Sequence, residues 1–339
     1  MRASRSWQAL LLSVVLTVSF AFSQAAPRSD LIDAQQLLRD LQTLSADDME
    51  GRQVGTAGGA KARTYVLQRF KESGIQPFGE GFTQAFSFTG GRAGNQTERQ
   101  GVNVVGRIDG KQSARRYIVV SAHYDHLGTR DGQVFNGADD NASGTAALFA
   151  IAKYFNEHRP ANSLIVTAFD GEESGLRGAR AFVKTPPVAL SSIVVNVNLD
   201  MVGRAPDDKL FAAGTHTYPF LKPYLERVAA KAPVTLLLGH DDPGRRDLQD
   251  WTRDSDHFAF HEVKIPFIYL GVEDFEHIHK STDDYGNMSH DFFVRAVETA
   301  VRVIQEFDAH LDAIAGEARR RGGSEALSGL RCREELMCD

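Results

Sequence analysis

The stretch Ala168-Phe169-Asp170-Gly171-Glu172-Glu173-Ser174-Gly175 closes an apolar run and sets two glutamates side by side between glycines. The same pattern recurs along the chain. His123-Tyr124-Asp125-His126 follows the run Tyr117 to Ala122, and Asp200 follows Ile193 to Leu199. Asn136 to Gly144 carries Asp139 and Asp140 just before a small-residue helix, and His277-Ile278-His279 comes after the run that ends near Leu270. Each feature alone has a structural explanation: Asp or Asn before a helix caps it, and adjacent glutamates in a first helical turn complement the helix dipole. A lone His packs or hydrogen-bonds. Together they place acidic and imidazole groups at one strand end after another. Carboxylates crowded there repel unless a cation sits among them. Imidazoles in such a set favour zinc over magnesium or calcium, with cobalt or manganese as substitutes.

The elements that must position these residues can be read from periodicity. Strands are expected at Val102 to Ile108, Tyr117 to Ala122, Ser163 to Phe169, Ile193 to Leu199 and Pro266 to Leu270, with helices at Ser143 to Phe155, Leu176 to Val183 and Tyr218 to Ala230. Packing helices are expected at Leu31 to Leu44 and Thr56 to Glu72, and a long one carries Phe293, Val297, Ala300, Ile304, Phe307 and Leu311 on one face. Gly90 to Gln100 reads as a surface loop, with Asn95 in a glycosylation sequon. Alternating βα units predict a three-layer α/β/α sandwich around a mixed, largely parallel sheet. Ligands bind in such folds outside the carboxyl ends of the strands, where the acidic and histidine clusters fall.

The chain of 339 residues carries a formal charge of -6, and its basic residues are scattered apart from Arg319 to Arg321. Nucleic acid is not an expected partner. Arg2 and Arg5, the apolar stretch Ala9 to Phe22 and the small residues Ser23 to Ala26 read as a secretory signal over residues 1–25, followed by a single domain over 26–315 and a polar tail over 316–339. An exported protein, periplasmic or secreted and free of the membrane after cleavage, is expected. The two cysteines, Cys332 and Cys338, are candidates for a disulfide closing a small loop.

The motifs "SAHYDHLG", "NGADDNASGTAAL", "FDGEESGLRGARAFV", "NLDMVGR", "SDHFAF" and "HIHKSTDD" resemble, in order and spacing, those of the M-twenty-eight family of metallopeptidases, typified by secreted bacterial aminopeptidases with two zinc ions. The resemblance begins near Leu37, with "LLRDLQTLSADDMEGRQVGT", and ends near Asp284. It implies that His123 and Asp200 bind one zinc, that Glu173 and His279 bind the other, and that Asp140 bridges the two. It also implies Glu172 as general base, Asp125 behind His123, and a cis peptide between Asp140 and Asn141. His279 is preferred to His277 because Lys280 to Asp283 matches the family's context. His126 and His257 are expected to line or support the site. Three carboxylates and a hydroxide would bring two divalent ions close to neutrality.

The implied activity is a metallo-exopeptidase, an aminopeptidase acting on the N-termini of peptides or proteins. A glutaminyl cyclase on the same fold would use one zinc, whereas the implied ligand set here is complete for two. A carboxypeptidase would need basic residues for the substrate carboxylate, for which Arg204 and Arg245-Arg246 are the candidates. A non-enzymatic binding ectodomain would be expected to have lost ligands. The polar segment Gly239 to Ser255 is expected to shape access.

Overall fold

The computed structural model describes residues 27–90, 96–112 and 116–335, and side chains as far as residue 320. The expected signal segment, Asn95 and Cys338 lie outside the described residues, and so does the side chain of Cys332. No helix among them is long and apolar enough to cross a membrane.

The framework is an eight-stranded sheet. In chain order its strands are β1 (Thr83–Gly90), β2 (Thr97–Ile108), β3 (Tyr117–His123), β6 (Ser163–Phe169), β7 (Ile193–Leu199), β8 (Lys209–Ala213), β9 (Thr235–Leu238) and β10 (Phe267–Gly271); a separate hairpin pairs β4 (Gly128–Arg130) with β5 (Gln133–Phe135). Across the sheet the order is β1-β2-β6-β3-β7-β10-β8-β9. The four central strands, β6, β3, β7 and β10, run parallel, so their carboxyl ends share one edge. The β1/β2, β2/β6 and β10/β8 pairings are antiparallel, which makes the sheet mixed as expected.

Helices cover both faces. α1 (Ala34–Leu44), α2 (Ala57–Glu72), α3 (Gly144–Glu157), α5 (Lys222–Ala229) and α7 (His290–Glu335) gather on one face, while α4 (Arg177–Lys184) and α6 (His257–Glu262) pack on the other. The central strands alternate between the two cores. In β3, Ile118, Val120 and Ala122 point to the larger cluster and Val119 to the smaller; in β6, Leu164, Val166 and Ala168 oppose Ile165 and Phe169. Burial on both faces explains why these strands are continuous apolar runs.

Helix starts are defined locally: Asp33 caps α1 by accepting from the Gln36 N–H at 3.0 Å, and Thr56 caps α2 through the Gly59 N–H at 3.2 Å. The expected loop Gly90 to Gln100 differs from the structure at both ends, because β1 extends to Gly90 and β2 begins at Thr97. Its polar composition reflects a hairpin end at the sheet edge, where alternate residues face water. The polar tail expected from residue 316 continues α7 in backbone to Glu335, with a break at His310 (φ -121°, ψ 15°).

Candidate metal centre

His123 is the last residue of β3, and its Nε2 lies 3.3 Å from Asp140 Oδ1 and 3.3 Å from Asp200 Oδ1. Asp200 follows the final residue of β7 and is held there by its N–H, which donates to the Leu270 carbonyl at 3.1 Å. Asp140 turns its other oxygen to a second group: Oδ2 is 3.2 Å from His279 Nε2 and 3.8 Å from His126 Nδ1. Glu173 completes that group, with Oε2 3.3 Å from His279 Nε2 and Oε1 2.7 Å from His126 Nδ1. Two donor sets therefore share one carboxylate: His123, Asp140 and Asp200 on one side and His126, Asp140 and Glu173 on the other are each compact enough to surround a metal ion, and His279 reaches the second from an exposed position.

The loop carrying Asp140 is clamped from several directions. Asp283 accepts the N–H groups of Asp139 (2.7 Å) and Asp140 (3.0 Å), one on each oxygen. Asn141 donates to the Leu199 carbonyl at 2.9 Å, Asp139 Oδ1 accepts from the Gly203 N–H at 2.7 Å, and the Asp140–Asn141 peptide is cis. Gly144 opens α3 where a side chain could not fit, since a Cβ there would lie 2.4 Å from the Leu199 carbonyl oxygen. The helix can thus start directly against the end of β7.

Beneath the loops lies Arg52, which is fully buried. Its guanidinium donates to the carbonyls of Leu44 (2.6 Å), Tyr124 (2.8 Å), Asn136 (2.5 Å) and Gly137 (2.9 Å). It thereby joins the segment before α2 to the two loops that bear His126 and Asp140. Burial draws its pKa down to about 10, against the opposing pull of Asp283, Asp140, Asp125 and Glu173.

The electrostatics follow from crowding. Burial alone would raise Asp140, but His126, His123 and His279 hold it well below the usual carboxylate range. Glu173 is likewise raised by burial and by Asp140, yet His126 and His279 bring it below its ordinary value. Burial would depress His123, but Asp200 and Glu172 more than offset this and lift it well above its usual value. Hydrogen bonds with Asp140 and Glu173 push His279 up to about 10. The cluster attracts cations strongly, and a divalent ion would displace the protons its imidazoles hold.

Glu172 stands beside these groups with its carboxyl pushed well above the usual range by burial, and further by Asp256, Asp200 and Glu173. Its N–H donates to Asp125 Oδ1 at 3.0 Å. Asp125 stands behind His123 as expected: its carboxylate is 3.7 Å from His123 Nδ1, and its backbone carbonyl is nearer, at 3.1 Å. A single residue thus orients the His123 ring by its main chain and the Glu172 backbone by its side chain. Asp256 is fully buried, and neither of its oxygens has a hydrogen-bond partner among the described residues.

The choice between the two late histidines is visible in the geometry. His277 Nδ1 lies 2.9 Å from Thr282 Oγ1, away from the cluster that His279 meets. Of the two supporting histidines, His257 is buried with Nε2 2.9 Å from the Trp251 carbonyl oxygen, and burial pushes its pKa down to about 3. His126 lines the site as expected, and its Nδ1 stands 2.7 Å from Glu173 Oε1 and 3.8 Å from Asp140 Oδ2. Its place at i+3 from His123 on a loop gave no directional signal. Arg52 and Asp283 were missed as site residues, since their work is done through main-chain groups far away in sequence.

The donor groups open onto a cleft of about 540 Å³. One wall is apolar, formed by Leu176, Met201, Trp251, Tyr269, Val272, Phe275 and Ile278. Trp251 is pinned by the ring of His240, stacked at 3.6 Å, and His240 Nε2 is 3.1 Å from Glu273 Oε1. Gln249, Trp251, Arg253 and Asp254 line the cleft, which places part of the Gly239 to Ser255 segment at its mouth. The basic candidates for binding a substrate carboxylate are elsewhere: Arg204 pairs with Asp274 at 2.8 Å, and Arg245 pairs with Asp247 at 2.6 Å. Neither these two nor Arg246 lines the cleft.

An α/β sandwich with imidazoles and carboxylates gathered at its central strand ends offers a place for metal ions there. The sequence model of Peptidase family M28 matches residues 103–304, and the chain belongs to that family. A probable zinc metalloprotease of Pyrenophora tritici-repentis is 27% identical over 242 residues, covering 67% of this chain and 53% of that protein. The chain spans about half the length of the curated relatives it matches. Among solved structures, the zinc aminopeptidase BSAP from Bacillus subtilis is similar with a TM-score of 0.66 at 16% identity, covering 83% of this chain and 96% of that one. Porphyromonas gingivalis glutaminyl cyclase is similar with a TM-score of 0.64 at 19% identity, covering 82% and 99%. These likenesses show the fold.

Proposed function

We propose that the chain is a zinc-dependent aminopeptidase whose site holds two metal ions. The observation that carries this reading is the Asp140 carboxylate, which presents Oδ1 to His123 and Oδ2 to His279. His123, Asp200 and Asp140 would hold one zinc, and Asp140, Glu173 and His279 the other. The donor chemistry fits: mixed imidazole and carboxylate sets of this size suit zinc, and Glu173 Oε1 is buried with no hydrogen bond to satisfy it. The bound ions would polarise the scissile carbonyl and acidify the attacking water.

The chain's own groups supply the proton transfers and the orientation. Glu172, its carboxyl raised well above the usual range by burial, takes a proton from the attacking water and returns it to the leaving amine. Asp125 fixes the Glu172 backbone by accepting its N–H at 3.0 Å. Of the carboxylates lining the cleft, Asp140, Glu173 and Asp200 would be offset by the ions and Asp274 is paired with Arg204, which leaves Glu172 and Asp254, with Arg253 as the guanidinium among its described lining residues. Such a lining favours a substrate ammonium over a substrate carboxylate. With Arg204 and Arg245 already paired, this supports action at the N-terminus and not at the C-terminus. The apolar wall around Trp251 and Met201 would take the side chain of the first residue.

Parallel assays of one peptide with a free and with an acetylated N-terminus, with zinc present, test the reading. Release of the first residue from the free-amine peptide alone is expected. Shortening of the acetylated peptide from its C-terminus, or ammonia release from a peptide beginning with glutamine, would overturn it.

A further inference from the structure

We propose that His126 is itself a metal-binding residue, its Nδ1 joining Asp140, Glu173 and His279 around the second ion. The inference rests on the reading of the cluster as a metal site. It starts from a side chain that is buried to 1% exposure and whose two ring nitrogens both lack a hydrogen bond among the described residues. Such a group costs free energy unless something satisfies it. Nδ1 is 2.7 Å from Glu173 Oε1, but the oxygen is not aligned to receive a hydrogen bond, and that oxygen is an orphan as well. Two unsatisfied buried donor atoms facing each other define a place for a third, cationic partner.

The distances suit that partner. Zinc binds nitrogen and oxygen at about 2.0–2.2 Å, so two atoms on one ion can be no more than about 4.4 Å apart. The Nδ1 separations of 2.7 and 3.8 Å from Glu173 and Asp140 fall inside this limit. The ring is also held in place. Gly137, at φ +54°, lies so close that a Cβ there would come within 2.5 Å of His126 Cγ and Cδ2. The main chain of the Asp140 loop therefore presses on the imidazole and keeps Nδ1 towards the cluster.

The two subsites then differ. His123, Asp140 and Asp200 offer three donors, which leaves a tetrahedral ion one open position. Asp140, Glu173, His279 and His126 offer four, one donor more, and the fuller set would hold zinc more firmly. The second ion is thus the tighter-bound of the two and the last to be lost to a chelator.

Zinc competition against a chromophoric chelator, with zinc per chain and the visible spectrum of the cobalt-substituted protein as readouts, tests this on the full chain. Two ions of unequal affinity are expected for the wild type. His126→Ala should weaken the tighter ion by about a hundredfold and dim the first cobalt's absorption, a loss at or above that of a supporting residue. His126→Asn keeps a hydrogen-bond donor to Glu173 but cannot replace the imidazole. It should behave like His126→Ala, whereas recovery of wild-type affinity would show a purely orienting role and overturn the proposal. Unchanged zinc affinity and cobalt spectra in both variants would overturn it too. If the wild type binds one ion, the two-metal reading falls, and the response of that ion to His126→Ala still decides the role of this residue.

Discussion

Glu172 and Glu173 are chemically identical neighbours given different surroundings. Glu173 touches two imidazoles and is held ionised, whereas Glu172 is pushed towards its protonated form by burial and by nearby carboxylates. Replacement should separate them. Glu172→Gln is expected to keep the wild-type zinc content while turnover falls by about 10²–10⁴-fold, the range of a lost general base. Glu173→Gln should lose zinc first, so that metal analysis beside the rate distinguishes the two. Most of these acidic and imidazole groups were legible in the sequence because they come after apolar runs, and Asp140 because it precedes a small-residue helix. Arg52, Asp283 and the inward turn of His126 were not, because each is defined by what a distant backbone offers it. A sequence shows that Arg52 exists, but not that four carbonyls converge on it.

At the scale of elements, the central strands could be read because burial on both faces makes them unbroken apolar runs. The outer ones could not. β8 has five residues and β9 four, β4 and β5 have three each, and β1 exposes alternate residues at the sheet edge. Their pairing is set by neighbours more than by their own pattern. The junction at Arg52 gives the clearest prediction here. Arg52→Met keeps much of the volume but leaves four buried carbonyls without a donor, at about 1–3 kcal/mol for each that water cannot reach. The variant should lose at least about 3 kcal/mol of stability, read as a lower denaturant midpoint. Its zinc affinity should fall as well, since the loops bearing His126 and Asp140 lose their common anchor.

For the whole molecule, the buried neutral imidazole of His257 links stability to acidity. Its folded pKa of about 3 lies below the ordinary value near 6.5, so the unfolded chain takes up the proton first. The stabilisation is full above about pH 6.5 and is lost as pH falls towards 3, amounting to about 2 kcal/mol by pH 5. His257→Gln, which retains a donor for the Trp251 carbonyl and cannot be protonated, should flatten the stability profile between pH 7.5 and 5 by about that amount. Equal slopes for variant and wild type would assign the acid sensitivity to other groups.

The donors of the centre are distributed from His123 to His279, and their buried anchor comes from Arg52. A ribosome must therefore finish most of the polypeptide before the second donor set has its His279. Partial products that end between Glu173 and His279 contain Asp140, Glu172 and Glu173 but lack the imidazole that faces Asp140 Oδ2 and Glu173 Oε2. On the proposed reading, hydrolytic competence would in this sense be a late event in the life of the chain, reached on completion of synthesis and folding and not through any single segment.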